Sequence, residues 1–247
     1  MRFTDILLNL LYPPKCVSCE EVLDYRDAEA LCPLCRARYE REKGFHCPEC
    51  KKLHAECDCL PKSLQNKVST AIHAVEYVKE ESASRDMILH AKDMRYEYLY
   101  RFLVKELRGL LEGRLDDPSA YLFTFVPRSA RKVAEYGVDQ AKEVAKRLAR
   151  LYGSECVSLF THKNVEDQKN LSREARFSNT KKSYFLKENC KETVEGKRVI
   201  LYDDVITTGA TLSACVTLLK KAGAKEIVIL TFGKTYLGDQ KPKTPIL

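Results

Sequence analysis

The thirteen residues from Val199 to Thr211, VILYDDVITTGAT, constrain the fold of this chain more than any other stretch. Val199, Ile200, Leu201 and Tyr202 form the short apolar run of a strand buried on both faces. Asp203 and Asp204 follow, then the hydroxyl-rich turn Thr207-Thr208-Gly209-Ala210-Thr211. After the turn, Leu212, Cys215, Val216 and Leu219 recur at helical spacing. Strand, acid pair, small-residue loop and helix together make a phosphate cradle. Gly209 lets the backbone approach an anion, the first N–H groups of the helix point at it, and threonine hydroxyls add donors. Carboxylates cannot hold phosphate, but they suit the hydroxyls of a ribose or the water around Mg²⁺. A sugar carrying both phosphate and free hydroxyls satisfies the whole stretch.

A strand of that kind needs parallel neighbours, and the sequence supplies them at Ala71–Val78, Tyr121–Val126, Glu155–Phe160 and Glu226–Phe232. Helical patterns alternate with these strands. Residues 82–111 carry one short apolar face (Met87, Ile88, Ala91) and one longer face from Tyr98 to Leu111, with a break expected at Asp93 and a stop at Gly113. Ala141, Val144, Ala145, Leu148 and Leu151 give a further helix its inward face. The expected fold is therefore α/β, a doubly wound parallel sheet with its ligand at the carboxyl ends of the strands. The loop after Val126, with Arg128, Arg131 and Lys132, is a second segment facing an anion. Residues 161–182 show no periodicity and contain Arg173 and Arg176. A polar loop of that length in a compact domain is expected to be a lid over the phosphates.

Eight of the eleven cysteines lie between Cys16 and Cys59, as Cys16-x-x-Cys19, Cys32-x-x-Cys35, Cys47-x-x-Cys50 and Cys57-x-Cys59. Each pair sets two thiolates on one side of a tetrahedron, and a second pair completes it. The simplest pairing is sequential, giving two structural zinc sites, with an interleaved arrangement as the alternative. The segment has too few large apolar residues to fold without metal. His46 or His54 could replace one thiolate of the second site, but both are read first as solvent-exposed imidazoles. The expected division is residues 1–65 as a zinc-ribbon unit, 66–240 as the body and 241–247 as a tail, with a short linker near Leu60–Asn66.

Charged residues at 31% and hydrophobic ones at 45% give an ordinary globular balance. The net charge of +7 suits a lysine-rich solvated surface or an anionic partner such as nucleic acid. No apolar run approaches the length of about 18 residues that a membrane span needs. The first residues show no basic region followed by a long apolar core and cleavage site, so the expected compartment is cytoplasmic and reducing, which disfavours disulfides. Phe3, Ile6, Leu7, Leu10 and Leu11 form a short amphipathic helix ahead of Pro13-Pro14, expected to pack on the body. The alternative is peripheral docking at the inner face of the membrane.

The Val199–Thr211 stretch closely resembles the 5-phosphoribosyl 1-pyrophosphate (PRPP) motif of type I phosphoribosyltransferases. Across residues 1–235, the cysteine segment ahead of such a body resembles the ComF-type competence proteins. Supporting pieces are Tyr77 with Ile88 to Lys92, Val126-Pro127 followed by Tyr136-Gly137-Val138-Asp139-Gln140, and Gln168 through Leu171-Ser172-Arg173 to Arg176 and Asn179. The resemblance implies ribose hydroxyls on Asp203 and Asp204, the 5-phosphate on Thr207 to Thr211, Mg²⁺ accompanying PRPP, and lid arginines Arg173 and Arg176. It also implies a role in natural transformation, handling single-stranded DNA beside a helicase-like ATPase. The alternative is a nucleobase phosphoribosyltransferase of salvage metabolism. One departure stands out: the family loop reads Arg-Gly-Phe-Asn-Gln. Here Tyr136 removes a cation and Asp139 adds a carboxylate, which weakens anion binding unless Arg128, Arg131 or Lys132 compensates.

Overall fold

Alternation along the strands builds the sheet. The computed structural model describes residues 13–24, 29–78, 80–91, 97–163 and 183–236. Its strands are β1 (Thr70–Glu76), β2 (Tyr121–Phe125), β3 (Phe160–His162), β4 (Tyr184–Leu186), β5 (Arg198–Ile206) and β6 (Glu226–Lys234). Four of them pair in parallel in the order β1-β6-β5-β2, while β3 and β4 form a separate antiparallel pair. Ile200, Tyr202, Phe123, Phe125, Val228 and Leu230 face one side, and Val199, Leu201, Leu122, Ile227 and Ile229 face the other. This is the period of two expected of strands covered on both faces.

The first side packs against α1 (Pro33–Lys43), α2 (Ala83–His90), α3 (Glu97–Arg114) and α5 (Gln140–Leu151). The second packs against α7 (Ala210–Lys221), which follows β5 and leads to β6. Between β2 and α5 lies α4 (Ala130–Tyr136), and α6 (Cys190–Val194) precedes β5. The connection from β5 runs through α7 to β6 on one side. The connection from β2 runs through α5 to Cys156, which bridges Phe123 on the other. Neighbouring strands β5 and β2 therefore send their chains apart, and the crevice between their carboxyl ends is where such a sheet binds ligand.

Several boundaries differ from the sequence expectation, each for a physical reason. β5 continues to Ile206 because the residues after the acids stay paired with β6, Val205 opposite Gly233 and Ile206 opposite Lys234. The expected strand at 155–160 reduces to the Cys156 bridge, and Phe160 turns away to pair with Leu186. α3 passes Gly113 and ends at Arg114, ahead of Pro118. Leu151 is 52% exposed because it is the last residue of α5, and Ala149 faces inward instead. α4 escapes pattern reading because it buries none of its residues. Its ends are set by the Ser129 cap and by Gly137 at φ 73°. The amphipathic stretch 1–12, Asp93 and the tail 241–247 lie outside the described residues.

The cysteine segment is packed on the body rather than strung ahead of it. Cys16, Val17, Cys32, Cys35 and Tyr39 join the same buried cluster as α2, α3 and the sheet. Tyr39 stacks on Phe232 at 6.1 Å between ring centroids and meets Phe102 edge-on at 5.4 Å. The Glu42 carboxylate accepts from Ala83 N at 2.8 Å and Ser84 N at 2.9 Å, so α1 supplies an amino-terminal cap to α2.

Candidate functional site

Asp203 and Asp204 lie in the second half of β5, and each carboxylate accepts the next backbone amide: Asp204 N to Asp203 Oδ1 at 2.9 Å, Val205 N to Asp204 Oδ1 at 2.8 Å. Being adjacent on a strand, they diverge. Asp204 approaches Arg128, with Nη2 3.9 Å from Oδ2. Asp203 lies toward α7, where burial, and next the Asp203 charge, hold the Cys215 thiol well above its usual range. Dense surroundings, and next the neighbouring Asp204 charge, hold the Asp203 carboxyl well above the ordinary carboxylate pKa. Part of its surface nonetheless remains open to the cleft.

Beyond Ile206 the chain turns through Thr207, Thr208 and Gly209 into α7. Gly209 sits at φ 71°, where only glycine is unstrained. A Cβ there would meet Ser63 Oγ at 3.0 Å, Leu64 Cδ1 at 3.1 Å and Pro61 Cβ at 3.2 Å. The glycine is thus demanded by the segment Pro61–Leu64 packed behind the loop, as well as by its backbone angle. The expected linker near Leu60–Asn66 is accordingly a fixed part of the site's rear wall.

Opposite the acids, Arg128 is held from three directions. Its backbone N donates to Asp139 Oδ2 at 3.1 Å, its Nη2 donates to Gln140 Oε1 at 2.7 Å, and its guanidinium lies 5.8 Å from the Tyr136 ring centre. Arg128 Nη1 is buried and has no partner among the described residues. Asp139 also caps α5 through Lys142 N at 3.3 Å, so the extra carboxylate serves the backbone of this loop. Gln140, 1% exposed, carries no site signal of its own in the sequence, and only its contact with Arg128 reveals its place in the site.

These elements enclose a cleft of about 570 Å³. Asp203, Asp204, Thr207, Thr211, Arg128 and Lys132 line it, as do Tyr77, Tyr136, His162 and Tyr184. Thr208, Gly209 and Ala210 stand behind the lining, and Arg131 is exposed on α4 outside it. His162 meets Tyr184 edge-on at 4.8 Å, and burial followed by the Lys132 charge pushes its imidazole below the usual pKa. Arg173 and Arg176 lie outside the described residues.

The thiols gather sequentially. Cys16, Cys19, Cys32 and Cys35 form one group and Cys47, Cys50, Cys57 and Cys59 another, with all sulfur atoms in a group within 4.8 Å of one another. The two first halves are copies. Cys16 N donates to Glu21 O and Glu20 N to Cys16 O, just as Cys47 N donates to Lys52 O and Lys51 N to Cys47 O. Glu20 and Lys51 take the same left-handed turn, at φ 62° and 63°. Such a turn points amides and both sulfurs inward, the arrangement a tetrahedral thiolate site uses.

His54 corrects the expectation of an exposed imidazole: it is fully buried, with Nδ1 3.1 Å from Tyr236 Oη, and burial lowers its pKa to about 4. Beside it, Lys234 is 2% exposed, with its ammonium 3.9 Å from Cys57 Sγ and 4.3 Å from the Tyr236 ring centre. Neither residue carries a periodic signal in the sequence.

The family described as Phosphoribosyl transferase domain matches residues 133–241. Competence protein ComFC of Streptococcus pneumoniae (strain ATCC BAA-255 / R6) is 26% identical over 202 residues, 81% of this chain and 86% of that protein. Solved structures similar to the chain include purine phosphoribosyltransferase from Pyrococcus horikoshii Ot3, at 20% identity, 57% of this chain, 80% of that one and a TM-score of 0.40. An adenine phosphoribosyltransferase matches at 16% identity, 58% and 73% coverage and a TM-score of 0.41. The allosteric regulatory enzyme of purine biosynthesis matches at 19% identity and a TM-score of 0.39, with 58% of this chain spanning only 30% of that one. Two four-cysteine groups ahead of a matched phosphoribosyl transferase domain, in a chain aligned with ComFC over most of its length, make this protein similar to the ComF-type competence proteins, with a phosphoribosyltransferase-like body.

Proposed function

We propose that the cleft binds PRPP with Mg²⁺ and that the protein supports the uptake of single-stranded DNA in natural transformation. The observation that carries the PRPP reading is the convergence on one cleft of two carboxylates, a threonine loop at a helix start and a held arginine. Asp203 and Asp204 would accept hydrogen bonds from the ribose hydroxyls. The amides of the loop and the hydroxyls of Thr207 and Thr211 would hold the 5-phosphate. Arg128, already oriented by Gln140 and keeping Nη1 free of partners among the described residues, would meet the pyrophosphate, with Lys132 beside it. Mg²⁺, when bound with PRPP, would neutralise charge on the leaving pyrophosphate. The lid arginines Arg173 and Arg176 remain part of this proposal.

Both thiol groups fit structural zinc, since each offers four sulfurs and no open position. Four thiolates around a divalent ion leave excess negative charge, and the buried ammonium of Lys234 beside Cys57 offsets part of it at the second group. The role in transformation rests on the match to a protein named for competence and on the net charge of +7. In the family a helicase-like ATPase is the expected partner. Among the described residues no helix is long and apolar enough to cross a membrane. A cytoplasmic place is proposed from the resemblance to a competence protein, with peripheral docking at the inner face of the membrane as the alternative.

Calorimetric titration with PRPP and Mg²⁺ should show saturable binding, and its absence would end the PRPP reading. A pyrophosphate assay across free bases then separates turnover from binding: release with one base would favour the nucleobase phosphoribosyltransferase alternative. Single-stranded oligonucleotide binding is expected to weaken steeply between low and moderate salt, as counterion release requires. Affinity that is absent at low salt, or indifferent to it, would argue against DNA as a direct partner.

A further inference from the structure

The phosphate loop has a rear support that the acid pair and the threonines do not reveal. Ser63 Oγ donates to Thr208 O at 3.3 Å, and neither residue lines the cleft. The carbonyl of Ser63 in turn accepts from Lys67 Nζ at 2.7 Å and from Ser213 Oγ at 3.0 Å. Lys67 Nζ also reaches Ser213 Oγ at 3.3 Å, closing a small polar hub. Ser213 is fully buried in the first turn of α7, and its own N donates to Gly209 O at 2.8 Å. The hub therefore ties the segment after the second cysteine group to both ends of the loop.

A peptide unit is planar and trans, so its C=O and N–H point in opposite directions. No peptide bond of the described residues is cis. Holding the Thr208 carbonyl toward Ser63 therefore turns the Gly209 N–H away from that segment, toward the side where an anion would sit. Glycine at φ 71° resists a peptide flip less than any other residue, because both hands of the backbone are open to it. A loop built on Gly209 needs an external partner to keep one orientation, and Ser63 supplies it.

We propose that Ser63 and Lys67 are positioning residues for the phosphate loop, locking the Thr208–Gly209 peptide with its N–H facing the ligand. This rests on the PRPP reading of the cleft. The family resemblance assigns no role to either residue, and the notional boundary between the cysteine segment and the body runs between them. Neither lines the cleft. Both act through Thr208 and Ser213.

The test uses the full zinc-loaded chain with Ser63→Ala, Lys67→Met and Lys67→Arg. It reads PRPP affinity by calorimetry, amide hydrogen exchange of the peptide covering Thr207–Thr211, and melting temperature. Ser63→Ala and Lys67→Met should each weaken PRPP binding about fivefold to tenfold. Exchange should accelerate in the loop peptide while the peptides of β6 keep their wild-type protection. Lys67→Arg, which can still donate to Ser63 O and Ser213 Oγ, should restore both readouts. Wild-type affinity together with unchanged loop exchange in Ser63→Ala would overturn the proposal. So would an affinity loss that follows a general fall in protection and melting temperature and is not rescued by Lys67→Arg. If the wild type binds no PRPP, the reading of the cleft falls, and the exchange data alone then judge the brace: an unchanged loop overturns it.

Discussion

Stripping the metal from the purified protein is expected to unfold the cysteine segment and to drag the melting temperature of the whole chain down with it. Two zinc ions per chain are expected, because eight thiols gather into two tight groups. A structural zinc site contributes about 10–16 kcal/mol near neutral pH, whereas a whole domain is stable by about 5–15 kcal/mol. The sequence alone suggests that chelation would spare the body. The structure changes that expectation: Cys16, Cys32, Cys35 and Tyr39 are packed into the main core, and Glu42 caps α2. Losing α1 would uncover Phe102 and Phe232 and leave two helix amides without their carboxylate. Metal analysis together with calorimetric melting, before and after chelation, decides the matter. One zinc per chain with Cys57 and Cys59 freely alkylated would remove the second site. An unshifted melting temperature after complete chelation would refute the coupling.

The second large effect is expected at the acid pair, where binding and stability should move in opposite directions. Asp204→Ala removes a carboxylate whose charge-assisted hydrogen bonds to ribose hydroxyls are worth roughly 1.5–3 kcal/mol each. PRPP affinity should fall by at least about tenfold. Stability, by contrast, should rise when the charge of Asp203 is removed. Its folded-state pKa lies above the ordinary value, because crowding and the Asp204 charge disfavour ionisation. Above the unfolded pKa of about 4, the folded state thus holds the proton more tightly than the unfolded chain. Stability is then lost as pH rises through the folded-state pKa. Asp203→Asn keeps the acceptor for Asp204 N and lacks that penalty, so it should melt higher at neutral pH and match the wild type near pH 4 and below. Each kcal/mol recovered corresponds to about 2–4 °C for a chain of this size. A lower melting temperature at neutral pH for Asp203→Asn, with PRPP affinity intact, would make the pair a structural feature instead of a binding one.

What the sequence discloses follows from which interactions are local. The acid pair, the threonine loop and the cysteine spacings are legible because their chemistry requires given residue types at fixed short separations. The sheet is legible because strands covered on both faces are continuous apolar runs, as at Val199–Tyr202 and Tyr121–Val126. Contacts between distant residues leave no such trace. Nothing around Ser63 announces Thr208 O, 145 residues away, and nothing around His54 announces Tyr236, 182 residues away. Gln140 falls in between: it ends the Tyr136–Gln140 motif, but its task of holding Arg128 depends on the turn at Gly137 bringing α5 back beside β2.

One feature of the sheet ties metal loading to behaviour in solution. β1 is an edge strand, yet five of its seven residues are buried. The turn at His54–Glu56 packs against it, Thr70 Oγ1 donates to Asp58 Oδ1 at 2.9 Å, and Arg114 from α3 clasps both Asp58 and the carbonyl of Ala55. The second cysteine group thus serves as an edge guard. An apolar parallel edge without such a cover is a template for pairing with another chain. Oxidation or chelation of Cys47, Cys50, Cys57 and Cys59 would therefore reach beyond local unfolding, and would open β1 to self-association that quickens as the protein's concentration rises.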